Sequence, residues 1–186
     1  MKRIFDITLA LFLFVPILFI MIPLFFLVKI SSNGPFIHWS KRIGRDSSYF
    51  FMPKIRTMIL STPQLATHLL KDPDSVYTPY GKFLRKYSLD ELPQIYSVLI
   101  GHMSFVGPRP ALYNQNDLNE MRKSVGVDKL MPGITGWAQV NGRDEISIET
   151  KVDIELDYLE KKSFTLDILI IWMTIKKVIS KDNITH

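Results

Sequence analysis

From Ile7 to Val28 the chain carries no charged side chain, and nearly every residue is apolar. About 22 residues at ~1.5 Å each make a helix of roughly 33 Å, close to the ~30 Å hydrocarbon core of a bilayer. The run is too long for a cleaved signal peptide, and no small-residue cleavage site follows it. A single spanning helix is the plain reading. Two details pull against it. Pro16 and Pro23 lie inside the run, and each removes a helical hydrogen bond and favours a kink. Both flanks are basic: Lys2 and Arg3 before the run, Lys29, Lys41, Arg42 and Arg45 after it. Positive charge marks the cytoplasmic side of a membrane segment. Here it marks both ends, the pattern of a re-entrant helix that bends near Pro16 or Pro23 and returns. Spanning helices tolerate proline kinks too, so the residues alone leave both topologies open. The expected organisation is a membrane-inserted helix over residues 1–30 and a membrane-associated domain over residues 31–186.

A chain of 186 residues suits one domain with a modest core. There is no cysteine, which excludes disulfides and Cys-ligated zinc. The four histidines, His38, His68, His102 and His186, show no close metal-ligand spacing. The balance of 23 basic against 18 acidic side chains gives a net charge of +5. That excess suits an anionic membrane surface or a phosphorylated substrate. No nucleic-acid-binding motif is present, so nucleic acid ranks last among partners.

The domain is organised around Ser88-Leu89-Asp90-Glu91-Leu92-Pro93-Gln94. Leu92, Ile95, Tyr96 and Leu99 follow at helical spacing, which predicts a helix from near Asp90 to Gly101. Ser88 and Glu91 have capping-box spacing, and Pro93 fits the first turn. Helix dipole and neighbouring cations favour an ionised carboxylate there. The basic segment Lys82 to Lys86 supplies Arg85, which can help hold a phosphate beside the helix end. A carboxylate, a cation and a phosphate site are the parts of an attack on phosphorus. The ordinary use of the same residues is an N-cap Asp with a capping-box Glu.

The other candidates are cations. Lys54 and Arg56 are two apart, so on an extended chain they share a face that can meet a diphosphate or simply solvent. Arg109 stands between Pro108 and Pro110, a fixed backbone under a guanidinium. That suits bidentate phosphate binding, or a salt bridge to Asp90 or Glu91. Phe36 to Trp39 and Tyr49 to Met52 predict a β-hairpin around Gly44-Arg45-Asp46. Residues 61–80 contain Pro63, Pro73 and Pro79 and read as an excursion around a short helix at 64–70. Asp72-Pro73-Asp74 matches by letter a nucleotide-sugar metal motif, but an Asp-Pro-Asp turn is its ordinary use.

Tyr113 to Ser124 predicts an exposed helix. Pro132 to Arg143 is rich in turn chemistry: Asn141-Gly142 is a hairpin signal, and Gly133 and Gly136 allow close backbone approach to a ligand. Trp137 suits a stacked base, a membrane interface or the core. Ile148 to Lys161 predicts an amphipathic helix with Asp153 and Asp157 on a solvated face. Phe164 to Ile179 is strongly apolar, with Asp167, Thr174, Lys177 and Lys181 on one face. It predicts an interfacial or core helix too short to span. The fold class expected is α+β, mostly helical, with small β-hairpin elements and amphipathic interfacial helices.

Taken together, these stretches resemble the bacterial sugar transferase family, the monotopic phosphoglycosyl transferases. The resemblance rests on Lys2-Arg3-Ile4-Phe5-Asp6 before the apolar run, Ser88 to Leu92, Met103 to Pro110 and Pro132 to Arg143, in that order. In length the chain is similar to the minimal members, and most of all to those that begin N-linked glycan assembly with diacetylbacillosamine phosphate. The resemblance implies transfer of a sugar-1-phosphate from a UDP-sugar to polyprenyl (undecaprenyl) phosphate, with release of UMP. It implies Asp90 as nucleophile and Glu91 as a Mg²⁺ ligand or proton handler, the pair holding the metal. It implies Arg85 orienting Asp90 and Arg109 on phosphate, with Lys54, Arg56 and Arg143 as further substrate contacts. It implies a re-entrant first helix at the cytosolic face of the bacterial inner membrane, and downstream glycosyltransferases as partners. Two alternatives use the same residues: a membrane-anchored Mg²⁺-dependent phosphohydrolase, and a non-enzymatic membrane scaffold in which Asp90 and Glu91 only cap a helix.

Overall fold

The computed structural model describes residues 1–62, 74–142 and 146–179. The short helix expected at 64–70, most of the Asp-Pro-Asp turn, Arg143 and Lys181 lie outside the described residues. The apolar run forms helix α1 (Lys2–Ser31), continuous across Pro16 and Pro23. The buried Asp6, Ala10, Leu24 and Val28 and the half-buried Leu13, Ile17 and Met21 follow one another at steps of three and four. That spacing draws one stripe down a helix. The stripe packs on the domain along its whole length. Ala10, Leu13 and Ile17 pack with Met52, Ile95, Val98 and Met103. Met21, Leu24 and Val28 pack with Ile55, Leu84 and Leu92. The opposite side exposes Phe12, Val15, Leu18, Phe19, Ile22 and Phe26.

Both ends of α1 are pinned to the same body. At the start, Lys2 Nζ meets Asp167 at 2.6 Å, and Arg3 donates to the carbonyls of Val98 and Leu99. The buried Asp6 carboxylate accepts from Ser104 Oγ and from the Phe105 amide, both at 3.1 Å. At the far end, Arg56 donates to the carbonyls of Ser32 and Asn33.

The expected hairpin is present. Strands β1 (Ile37–Ile43) and β2 (Tyr49–Ile55) pair antiparallel, with His38 opposite Lys54 and Arg42 opposite Phe50. Helix α2 (Gly81–Lys86) leads into a 3₁₀ helix, Leu89–Gln94, and then α3 (Ile95–Ile100), which ends on the left-handed Gly101. Strands β3 (Ser104–Val106) and β4 (Gly133–Thr135) form a short parallel pair that the sequence pattern does not announce. Helix α4 (Asn116–Ser124) lies between them in the chain, and α5 (Trp137–Asn141) follows β4. Asn141-Gly142 therefore closes a short helix rather than a hairpin. The amide of Asn141 donates back to the Trp137 carbonyl, a bond made within the helix.

Helices α6 (Ile148–Lys161) and α7 (Phe164–Ile179) match their expected bounds. The polar side of α7 faces inward. Asp167 is buried and accepts from Tyr158, and Thr174 Oγ1 lies 2.7 Å from Thr135 Oγ1. Phe164, Ile168, Leu169, Trp172, Ile175 and Val178 point outward. A water-facing helix would be turned the other way. The edge-to-face pair Phe5–Phe164, with centroids 5.2 Å apart, brings the starts of α1 and α7 together. Their outer faces thus adjoin as one apolar surface, the pattern of a membrane-seated face. Trp137 packs on the inner cluster of Val106, Val140, Tyr158 and Ile170, and its indole N–H donates to Asp157 at 2.9 Å.

Candidate active site

Asp90 and Glu91 sit on the 3₁₀ helix, where the sequence pattern predicts the first turn of a longer helix. The capping box does not form. Ser88 adopts left-handed backbone angles, φ 53°, and its side chain makes no cap hydrogen bond. A left-handed non-glycine residue is strained, and here it turns the chain from α2 so that the two carboxylates face the hairpin.

Glu91 is the hub. Its Oε1 accepts from Lys54 Nζ and from Arg109 Nη2, each at 2.7 Å. Lys54 comes from β2, and Arg109 from the Gly107-Pro108-Arg109-Pro110 segment after β3. That segment is fixed by backbone packing. A Cβ at Gly107, Gly133 or Gly136 would collide with main-chain atoms, Gly107 meeting Met131 and the other two meeting Gly107. Gly133 and Gly136 thus permit a close crossing of the chain with itself.

The two adjacent carboxyls are driven apart. Burial would raise Glu91, but Arg109 and Lys54 together carry it well below the ordinary glutamate range. Burial pushes Asp90 up, and the nearby Glu91 charge adds to that; the pull of Lys54, Arg85 and Arg109 offsets it only in part. The expectation that dipole and cations favour the anion meets an opposing effect at Asp90, where desolvation outweighs the cations and raises the carboxyl. It holds for Glu91. Burial also lowers Lys54, although Glu91 and Asp90 act to raise it.

Two cavities adjoin this cluster, one at Lys54 and the other at Glu91 and Arg109, and Asp90 lines neither. One, of about 190 Å³, is basic, with His38, Arg42, Lys54, Arg56 and Arg85 in its wall beside Thr57. Arg85 donates to Thr57 Oγ1 at 3.0 Å, and its charge acts on Asp90 through space. Arg56 lines the same wall while its two terminal nitrogens hold the loop after α1. Arg42 was not among the sequence-derived candidates. It donates to Ser40 Oγ and the Pro110 carbonyl, and burial beside Arg109 pushes its guanidinium down to about 10. The signal for it is the period-two spacing of His38, Ser40 and Arg42, usable only once the strand is known. Burial and the neighbouring Arg42, Lys54 and Arg85 push His38 below its usual value. The second cavity, of about 350 Å³, is largely apolar. Glu91 and Arg109 stand at its wall, with Ile17 of α1 and Ile171, Ile175 and Val178 of α7.

An ionised carboxylate clamped by two cations, between a basic cavity and an apolar one, suits phosphoryl chemistry on a lipid. The sequence profile described as "Bacterial sugar transferase" matches residues 1–181. The chain belongs to the bacterial sugar transferase family. It is 37% identical to the "Uncharacterized sugar transferase EpsL" of Bacillus subtilis (strain 168), covering 99% of this chain and 90% of that protein. It is 37% identical to the "UDP-glucose:undecaprenyl-phosphate glucose-1-phosphate transferase" of Escherichia coli (strain K12), covering 95% of this chain and 40% of that protein. It is 35% identical to the "Undecaprenyl-phosphate glucose phosphotransferase" of Komagataeibacter xylinus, covering 98% of this chain and 36% of that protein. The chain thus spans most of EpsL but about two fifths of these two relatives with a named reaction.

Among the described residues no three His, Asp or Glu side chains converge as a metal site. Mg²⁺ commonly takes one or two carboxylates and completes its shell with substrate phosphates and water. Asp90 and the second oxygen of Glu91 fit that donor set.

Proposed function

We propose that the protein transfers a sugar-1-phosphate from a UDP-sugar to polyprenyl phosphate, leaving UMP and a polyprenyl-diphospho-sugar. The observation that carries this reading is the Lys54–Glu91–Arg109 cluster beside Asp90, with a basic cavity at Lys54 and an apolar one at Glu91 and Arg109. A diphosphate nucleotide suits the basic cavity, and an isoprenoid suits the apolar one. The sugar transferase relatives, two of them named for undecaprenyl phosphate, support the same chemistry. EpsL matches over nearly its whole length but has no named reaction, so nothing favours diacetylbacillosamine over another sugar.

Asp90 attacks the phosphorus that bears the sugar. A carboxylate O–P bond forms, the bridging P–O bond breaks, and UMP leaves with the electron pair. An oxygen of polyprenyl phosphate then attacks the same phosphorus, and the aspartyl O–P bond breaks to restore the carboxylate. No water is consumed. The raised Asp90 carboxyl suits a nucleophile, because a less stabilised anion attacks more readily. Glu91 holds Lys54 and Arg109 toward the phosphates. Arg42 and Arg85 meet the diphosphate, with Arg56 beside them. Mg²⁺, held by Asp90 and Glu91 with donor phosphate oxygens, would neutralise the diphosphate charge when bound.

The setting follows from α1. Both its ends are tied to one body and its outer side is apolar, which supports a helix whose two ends lie at the same membrane face. The basic flanks support a cytosolic face, at the inner membrane. Enzymes extending the product would be downstream partners. The test is product analysis with a panel of UDP-sugars, with and without polyprenyl phosphate. Lipid-diphosphate sugar plus UMP is the expected outcome. Free sugar phosphate made without the lipid would mean a phosphohydrolase, and no turnover of any donor would mean a scaffold.

A further inference from the structure

We infer that the apolar cavity between α1 and α7 seats the first isoprene units of the acceptor, and that Lys177 of α7 binds the acceptor's phosphate together with Arg109. This rests on the transferase reading and names where its second substrate enters. Ile175 and Val178 line the cavity and are also exposed on the outer face of α7, so the cavity opens onto the apolar surface. Ile17 supplies the α1 side of the same opening. A substrate arriving in the plane of the bilayer therefore reaches Glu91 and Arg109 without leaving an apolar surrounding.

The charges give the direction of entry. Among the described residues the cations in the wall are Lys177 and Arg109, and Glu91 beside them is bonded to Arg109. An anionic head drawn to these cations leaves its tail along Ile17, Ile171 and Val178. At about 350 Å³ the cavity is at the small end of ligand pockets, so it holds the head-proximal part of the chain and the remainder stays in the bilayer. Thr135 and Thr174, which also line it, satisfy each other at 2.7 Å, so their hydroxyls do not oppose an apolar occupant.

The test is photolabelling without UDP-sugar, on the full chain in nanodiscs, with a polyprenyl phosphate carrying a diazirine on its first isoprene unit. Label should map to the α7 peptide spanning Ile171 to Val178 and to the α1 peptide around Ile17. Unlabelled polyprenyl phosphate should displace it, and excess phosphatidylglycerol should not. Lys177→Met should raise the polyprenyl phosphate needed for half-protection about tenfold, the scale of one charge-assisted hydrogen bond. The same variant should not change protection by the uncharged polyprenol. Label elsewhere, displacement by ordinary phospholipid, or no effect of Lys177→Met would overturn the assignment. Because no donor is present, labelling at this site in a protein with no transferase turnover would sink the proposed function and leave the site standing. Full turnover with label elsewhere would do the reverse.

Discussion

Asp90 and Glu91 are neighbours in sequence with opposite relations to stability. Glu91 is held below its ordinary value by Arg109 and Lys54, so its charge stabilises the fold. Glu91→Gln leaves Lys54 and Arg109 without their shared partner and should cost about 3 kcal/mol at neutral pH. The sign follows from linkage. A depressed carboxyl contributes stability above its unfolded value, and loses it as pH falls through the folded one. The gap between wild type and Glu91→Gln in thermal unfolding should be full at pH 7 and shrink below ~4.3, the unperturbed glutamate value. Asp90 has the reverse sign. Its raised carboxyl costs stability above the ordinary aspartate range, and that cost disappears in acid. Asp90→Asn should therefore unfold at the wild-type temperature or higher while losing all activity. A large drop in melting temperature would mean that Asp90 serves the fold. Arg109→Lys keeps the charge facing Glu91 but loses the planar fork. It should cut turnover by an order of magnitude or more with little change in melting temperature, and equal loss of both would mark a purely structural salt bridge.

At the scale of elements, the site depends on the close approach of the Gly107 main chain to Gly133 and Gly136. Gly136→Ala sets a methyl group against the Gly107 main chain, which cannot move without shifting Arg109. The variant should lose at least about 2 kcal/mol of stability, typical of overpacking against rigid backbone. Most long elements were legible in the sequence because their periodicity is strong: α1, the β1–β2 hairpin, α6 and α7. What was not legible depends on tertiary context. Asp90 reads as a helix-capping residue, yet its burial raises the carboxyl. Asn141-Gly142 has hairpin chemistry, but packing of Trp137 and Val140 makes that stretch a helix. Arg42 became a site residue only when its strand was paired. The polar stripe of α7 was visible, but its inward direction was not, since the solvent outside that helix is not encoded in its period.

For the whole molecule, the consequence of pinning α1 at both ends is topological. Cysteines at Ile4 and at Asn33, each tested alone, should react with an impermeant thiol reagent from the cytosolic side only. Labelling of the two from opposite sides would mean that α1 spans and that its contacts with the domain do not hold in the membrane. Under the proposed function the same geometry would let one small domain meet a soluble donor through its basic cavity and a lipid acceptor through its apolar one. In the proposed mechanism both substrates act in turn on a single carboxylate, which requires two displacements and ping-pong kinetics. The direct measurement is to mix stoichiometric enzyme with UDP-sugar and Mg²⁺ and no acceptor. The protein should gain the mass of one sugar phosphate on the peptide containing Asp90, with matching release of UMP and none of either in Asp90→Asn. UMP release only after polyprenyl phosphate is added, with no trapped adduct, would contradict the covalent mechanism and make Asp90 a ligand or base for direct transfer.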